Sequence, residues 1–100
     1  MSSTVRHRLL VAYDVRDPVR LRRTHAVMLG YGDPLQYSVF LCDLSATERA
    51  LMELAILKVV QPSVDSVIVV DLGPSTGIAD RRIRTIGTAT LPARERYHIV

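Results

Sequence analysis

The sequence predicts one α+β domain with the chain order βαββαβ, two helices covering one face of a sheet. Three observations carry this. Leu9-Leu10-Val11-Ala12-Tyr13 is a continuous apolar run ending abruptly on Asp14, the pattern of a strand covered on both faces. Two amphipathic stretches begin with helix-start signals, Asp17-Pro18 and Ser45-Ala46-Thr47-Glu48, and alternate with strand-like segments. Val67-Ile68-Val69-Val70 is a second continuous β-branched run. This order is that of a ferredoxin-like sandwich.

Met1 to Arg6 is polar and expected to fray. Strand one is His7 to Asp14. Val15-Arg16-Asp17-Pro18 turns into helix one, Pro18 to Leu29, because Asp17 can accept from the first helical N–H groups and Pro18 suits the first helical position. Leu21, Thr24, His25, Met28 and Tyr31 share its inner face, while Arg20, Arg22 and Arg23 point elsewhere. Gly30 and Gly32 are expected to stop the helix in left-handed conformations, and Asp33-Pro34 to turn the chain. Leu35 to Leu41 is strand-like, either one bent strand or a tight hairpin. The Ser45/Glu48 capping box opens helix two, which should last to about Val60 before Pro62. Met52, Ala55, Ile56 and Val59 form one apolar stripe on it. Ala50, Leu51, Leu54 and Leu57 form a second, expected to meet another chain or the C-terminal segment. Ser66 to Leu72 is the next strand, Gly73 to Gly77 a flexible break, Arg82 to Gly87 a short fifth strand, and Leu91 to Val100 a polar tail. Residues 1–73 thus form the domain and 74–100 the linker, extra strand and tail. The uncovered sheet face, the second stripe and the appended strand all point to a homodimer.

At 100 residues the chain has one core of limited size, and its hydrophobic fraction of 48% must be buried or shared with a partner. A net charge of +3 and an isoelectric point near 9.5 lean towards polyanionic partners. The thirteen basic residues are all arginine except Lys58. Cys42 is the single cysteine, so no internal disulfide is possible, and no Cys/His spacing suits zinc. No apolar run approaches a membrane span and the N-terminus lacks a signal-peptide core, so a soluble cytoplasmic protein is expected.

Asp14 is the principal candidate for chemistry. It should sit at the carboxyl end of a buried strand beside a helix N-terminus, a common place for functional groups in sheets with helices. Its alternative role is to end the strand and hold the turn. Arg16, Arg20, Arg22 and Arg23, and Arg81, Arg82 and Arg84, can contact phosphates or form a solvated surface with local ion pairs such as those to Asp17 or Asp80. His25 reads as a packed core or interface histidine, Cys42 as a small buried hydrophobe, and Tyr13, Tyr37 and Phe40 as core rather than base-stacking rings. His7 and His98, near the termini, carry little signal. Gly73 to Gly77 lacks the Lys-Ser/Thr ending of a phosphate loop.

Tyr13-Asp14-Val15, an arginine-rich helix, Gly30-Tyr31-Gly32, Gln36-Tyr37-Ser38-Val39-Phe40, Cys42-Asp43-Leu44-Ser45 and Asp65-Ser66-Val67 follow one another in order. This series resembles the CRISPR-associated protein 2 family over residues 8 to about 72 and the Ile83 to Gly87 strand. The resemblance implies a ferredoxin-like fold, a symmetric dimer and a C-terminal strand packed on the partner protomer. It also implies a scaffold that bridges the CRISPR integrase, CRISPR-associated protein 1, and binds duplex DNA during spacer acquisition. Metal-dependent endonuclease activity on DNA or single-stranded RNA is implied too, with Asp14 as catalytic residue and ligand of Mg²⁺ or Mn²⁺. Arg20 and Arg23, with Arg16 and Arg22 beside them, fall in the basic segment, and Ser38 and Phe40 in the strand motif, all expected to bind nucleic acid. One carboxylate per chain is too few for a closed metal site, but two, one from each protomer, could hold a hydrated ion. Three positions depart from the family pattern: Leu35 where a basic residue is frequent, Leu41 where an acid is, and Leu21 within the arginine run. The alternative on this fold is a toxin-like endoribonuclease, as in virulence-associated protein D, which cuts RNA without an integrase.

Overall fold

A computed structural model describes residues 5–76 and 78–87. The elements are β1 (His7–Asp14), α1 (Pro18–Leu29), β2 (Gly32–Gln36), β3 (Val39–Leu44), α2 (Ala46–Leu57) and β4 (Ser66–Pro74), followed by a 3-10 turn, Ile78–Arg82. All strand pairs are antiparallel in one sheet of order β2-β3-β1-β4, the arrangement of a ferredoxin-like sandwich with β1 inside it. Among the described residues no helix is long and apolar enough to cross a membrane.

Each helix starts where its cap dictates. The Asp17 carboxylate accepts from the Arg20 amide at 2.9 Å, ahead of Pro18. Ser45 and Glu48 close a reciprocal box, Glu48 N–H to Ser45 Oγ at 3.2 Å and Ser45 N–H to Glu48 Oε1 at 2.9 Å. Losing the Ser45 hydroxyl costs about 1 kcal/mol. Helix α2 ends at Leu57, earlier than the expected Val60, where the Lys58 and Val59 amides tighten onto carbonyls three residues back, Ala55 at 3.3 Å and Ile56 at 3.0 Å.

The main core lies between the helices and one sheet face. Leu9, Val11 and Tyr13 of β1 and Phe40, Cys42 and Leu44 of β3 meet Met28, Met52 and Ile56. This face takes alternate strand residues, so Arg8, Leu10, Ala12 and Asp14 belong to the other face. That second face is only partly bare. Ala79 from the 3-10 turn is buried there with Leu41 and Leu72, and Leu10, Leu35 and Ile83 pack around them. Ile68 and Val70 remain exposed on it; Leu51, Leu54 and Leu57, the second stripe of α2, are exposed on the helical side.

Several expectations are corrected. Gly30 and Gly32 do not take left-handed conformations. Gly30 caps α1 at φ −79°, and Gly32 is required sterically, since a Cβ there would lie 2.6 Å from Cys42 Sγ and from the Leu41 carbonyl oxygen. Asp33-Pro34 is not a turn but part of β2. Proline is tolerated because β2 is an edge strand and the register shifts between Pro34 and Gln36. The segment after Tyr31 is therefore a hairpin, turning at Tyr37-Ser38. Gly73 and Pro74 lie in β4 rather than in a flexible break, with Gly73 at φ +99°. Arg6 is not frayed: it pairs with Glu48 at 2.9 Å, and its carbonyl accepts the Ser75 amide.

The expected fifth strand does not form within the single chain. Arg82 closes the 3-10 turn and donates to the Leu72 carbonyl at 3.2 Å, so the segment packs across the sheet face rather than along an edge. Residues 83–86 form no ladder. The tail from Leu91, with His98, lies outside the described residues.

Candidate nucleic-acid interface

The carboxyl end of β1 is built by three elements. Asp14, the last residue of β1, is exposed and paired across the sheet with Ser66 of β4. With Arg16 and residues 62–66 it lines an open groove of about 540 Å³. The β2–β3 turn reaches the same end of the sheet, where the Ser38 carbonyl accepts the Tyr13 amide at 3.0 Å. Helix α1 begins four residues after Asp14.

Asp65, next to Ser66, does not face the groove as a ligand. Its side chain is wholly buried and accepts from Arg20 Nε at 2.8 Å, Arg20 Nη2 at 3.1 Å and the Gln61 amide at 2.8 Å. These donors, the Arg20 guanidinium foremost, hold its carboxyl below the usual carboxylate range. They tie α1 to the loop before β4 and so fix the walls around Asp14. Among the described residues no group of three or more His, Cys, Asp or Glu comes together to hold a metal. One chain therefore offers a metal ion a single exposed carboxylate in the groove, a fit to half of a hydrated magnesium site.

The arginines divide. Arg16, Arg22 and Arg23 are exposed, whereas Arg20 is engaged by Asp65 and is half-buried. Ser38 is half-buried at the hairpin turn. Phe40 is 0% exposed in the main core, so its place in the strand motif reflects packing, and the ring has no surface to offer a nucleic acid. Tyr13 is also core. Its hydroxyl donates to the Tyr37 carbonyl at 3.0 Å, and burial, with Tyr37 nearby, pushes its pKa up to about 12. Cys42 is buried, and burial, helped by Asp33, pushes its thiol up to about 12, so it is inert.

Tyr37 is not core: it is 51% exposed, with its ring flat on His25. Sequence reasoning also missed two charged contacts. Arg8, buried on the second face, pairs with Asp80 at 3.4 Å, a partner only topology brings near. His7 Nδ1 lies 2.9 Å from both oxygens of Asp71, and Arg49 Nη1 lies 3.7 Å from Asp71 Oδ2. The available signal was the pair of cationic side chains, His7 and Arg8, opening an otherwise apolar strand, since a buried strand arginine needs an acidic partner.

The fold and this strand-end carboxylate beside a basic helix define a small ferredoxin-like protein with an acid-and-arginine surface at one end of its sheet. The model of the family described as CRISPR associated protein Cas2 matches residues 7–76, and the chain belongs to that family. A Rhodospirillum rubrum relative named CRISPR-associated endoribonuclease Cas2 1 is 36% identical over 87 residues, spanning 87% of this chain and 84% of its own. A Geobacter sulfurreducens relative, CRISPR-associated endoribonuclease Cas2, is 36% identical over 94 residues, 94% of this chain and 98% of its own. The crystal structure of Streptococcus pyogenes Cas2 superposes with TM-score 0.70 at 29% identity, over 80% of this chain and 99% of that one. A hypothetical protein from Thermus thermophilus shares the fold at TM-score 0.72 and 23% identity, over 87% of this chain and 98% of its own.

Proposed function

We propose that the protein acts in CRISPR adaptation as a homodimeric cytoplasmic scaffold that bridges the integrase, CRISPR-associated protein 1, and follows duplex DNA by its phosphates. The observation that carries this is the exposure of Arg16 just beyond β1 and of Arg22 and Arg23 on α1, in a family member of net charge +3. Contacts of this kind are independent of sequence and weaken steeply with salt. The exposed apolar residues Ile68 and Val70 support a second copy covering the second sheet face.

Asp14 and its copy in that dimer would hold Mg²⁺ or Mn²⁺. Bound there, such an ion would supply an activated water and charge neutralisation for phosphodiester hydrolysis. The chain's own contribution is to present the carboxylate at a fixed strand end and to hold the substrate phosphates on arginines.

A second reading, an endoribonuclease that works on RNA without an integrase, is favoured by the names of the relatives. Co-purification with the integrase separates the two. A stable complex, with DNA binding that falls linearly on a log–log salt plot, is the result expected for the scaffold. A protein that cuts RNA with Mg²⁺ or Mn²⁺, and neither retains the integrase nor binds duplex DNA, would leave only the second reading.

A further inference from the structure

The apex of the β2–β3 hairpin carries a large ring where short polar residues are usual. Tyr37 is 51% exposed, while Tyr13 and Phe40 are buried. The ring is nonetheless held in place. It lies parallel to the His25 imidazole, with centroids 4.0 Å apart and planes 1° from parallel. His25 in turn meets Phe40 edge-on at 5.3 Å and 64°. The Tyr37 carbonyl accepts from the Tyr13 hydroxyl at 3.0 Å and lies 2.9 Å from His25 Nδ1, which must therefore carry the proton. Three rings thus form a column from the core to the surface: Phe40, His25, Tyr37. One face of the last ring is covered by His25, and half of the residue remains exposed.

We propose that Tyr37, backed by His25, is a stacking platform for an unpaired nucleobase, so that this end of the molecule takes single-stranded nucleic acid. This deepens the nucleic-acid reading above and rests on it. A flat π-system whose partner face is already ordered stacks another flat ring without the entropy cost of fixing a loose side chain. Bases inside a duplex have no free face to offer, so the ligand is a single strand or an unpaired end. Arg22, exposed one helical turn before His25 on α1, and Arg16, at the same end of the sheet as the hairpin apex, supply cations for the adjoining phosphates.

The experiment measures binding of fluorescein-labelled single strands of about 12 nucleotides, as RNA and as DNA, and of blunt duplex DNA, by fluorescence anisotropy. Tyr37→Ala is expected to weaken single-strand binding by about tenfold or more, the scale of one lost base–aromatic stack, and to leave duplex binding unchanged. Tyr37→Phe and Tyr37→Trp should bind like the wild type or tighter. A 2-aminopurine placed in the strand should be quenched by the wild type and not by Tyr37→Ala. Circular dichroism melts check that the variants fold. If Tyr37→Ala leaves single-strand affinity intact, or lowers single-strand and duplex affinity alike, the platform is overturned while the nucleic-acid reading survives. A wild-type protein that binds none of the three ligands overturns both.

Discussion

Arg20 of α1 and Asp65 before β4 form a two-point ion pair, Nε to Oδ2 at 2.8 Å and Nη2 to Oδ1 at 3.1 Å, with the Asp65 carboxylate buried. The pair joins elements 45 residues apart and makes Arg20 a structural residue among surface arginines. Removing Arg20 leaves a buried carboxylate with, among the described residues, the Gln61 amide as its remaining donor. Arg20→Ala should therefore lower the melting temperature markedly, and more than Arg22→Ala or Arg23→Ala, which remove exposed charges. Differential scanning fluorimetry of the three variants checks this.

The same pair gives a pH dependence with a definite sign. The Asp65 carboxyl is held below its unfolded value by Arg20 and the Gln61 amide, so the folded state binds fewer protons there than the unfolded chain. Its contribution is complete above the unfolded pKa, roughly 3.9, and is lost as pH falls through the lower folded value. Asp71, held down by His7 and the Gly73 amide, and Glu48, held down by the Ser45 amide and Arg6, act in the same direction. Denaturant melts between pH 6 and the acid transition should show a shallower fall for Asp65→Asn than for the wild type, from a lower starting stability, roughly below pH 4. Parallel curves would remove Asp65 from the acid response.

Salt should distinguish structural from ligand-facing arginines in binding as well. Each of Arg16→Ala, Arg22→Ala and Arg23→Ala is expected to reduce the slope of log K against log salt for duplex DNA by about 1. A variant that loses affinity with no change of slope has lost structure rather than a phosphate contact.

Asp14 is exposed at a strand end, so Asp14→Ala should change stability by no more than about 0.5 kcal/mol. Any Mg²⁺- or Mn²⁺-dependent cleavage should disappear in that variant and on adding chelator, with nucleic-acid affinity kept. Cleavage at the wild-type rate by Asp14→Ala would exclude the carboxylate from the reaction.

Gly32 gives a packing test that needs no ligand. A Cβ would sit 2.6 Å from Cys42 Sγ and the Leu41 carbonyl oxygen, and the backbone oxygen cannot give way cheaply. Gly32→Ala should cost roughly 1–3 kcal/mol in a urea melt, without change in m-value.

The local part of the fold was legible in the residues. The run Leu9 to Tyr13, the Asp17-Pro18 start and the Ser45/Glu48 box each encode their element within a few neighbours, and β1 and α1 begin and end where these signals put them. What could not be read depends on sheet order. Pro34 is acceptable in a strand only because β2 lies at an edge, and edge position is a property of the assembled sheet. Arg20 and Arg22 look alike in sequence. Only the arrival of Asp65 from the far end of α2 makes one of them structural. Phe40 and Tyr37 share one motif, three residues apart, yet strand alternation buries the first and the hairpin turn exposes the second. For the site itself, Asp14 was legible as the end of an apolar run. Its walls were not, because they come from the 61–65 loop, which has no periodic signal.

The Arg8–Asp80 contact has a mechanical consequence. Arg8 and Asp14 stand on the same face of β1, about 20 Å apart by strand rise, and Asp80 fastens the departing chain to the Arg8 end. The segment leaving β4 is thus held to two neighbouring strands, to β4 by Arg82 on the Leu72 carbonyl and to β1 by Asp80 beside Arg8. A pull on that segment would be shared between the strand that carries the acid at its far tip and the strand beside it.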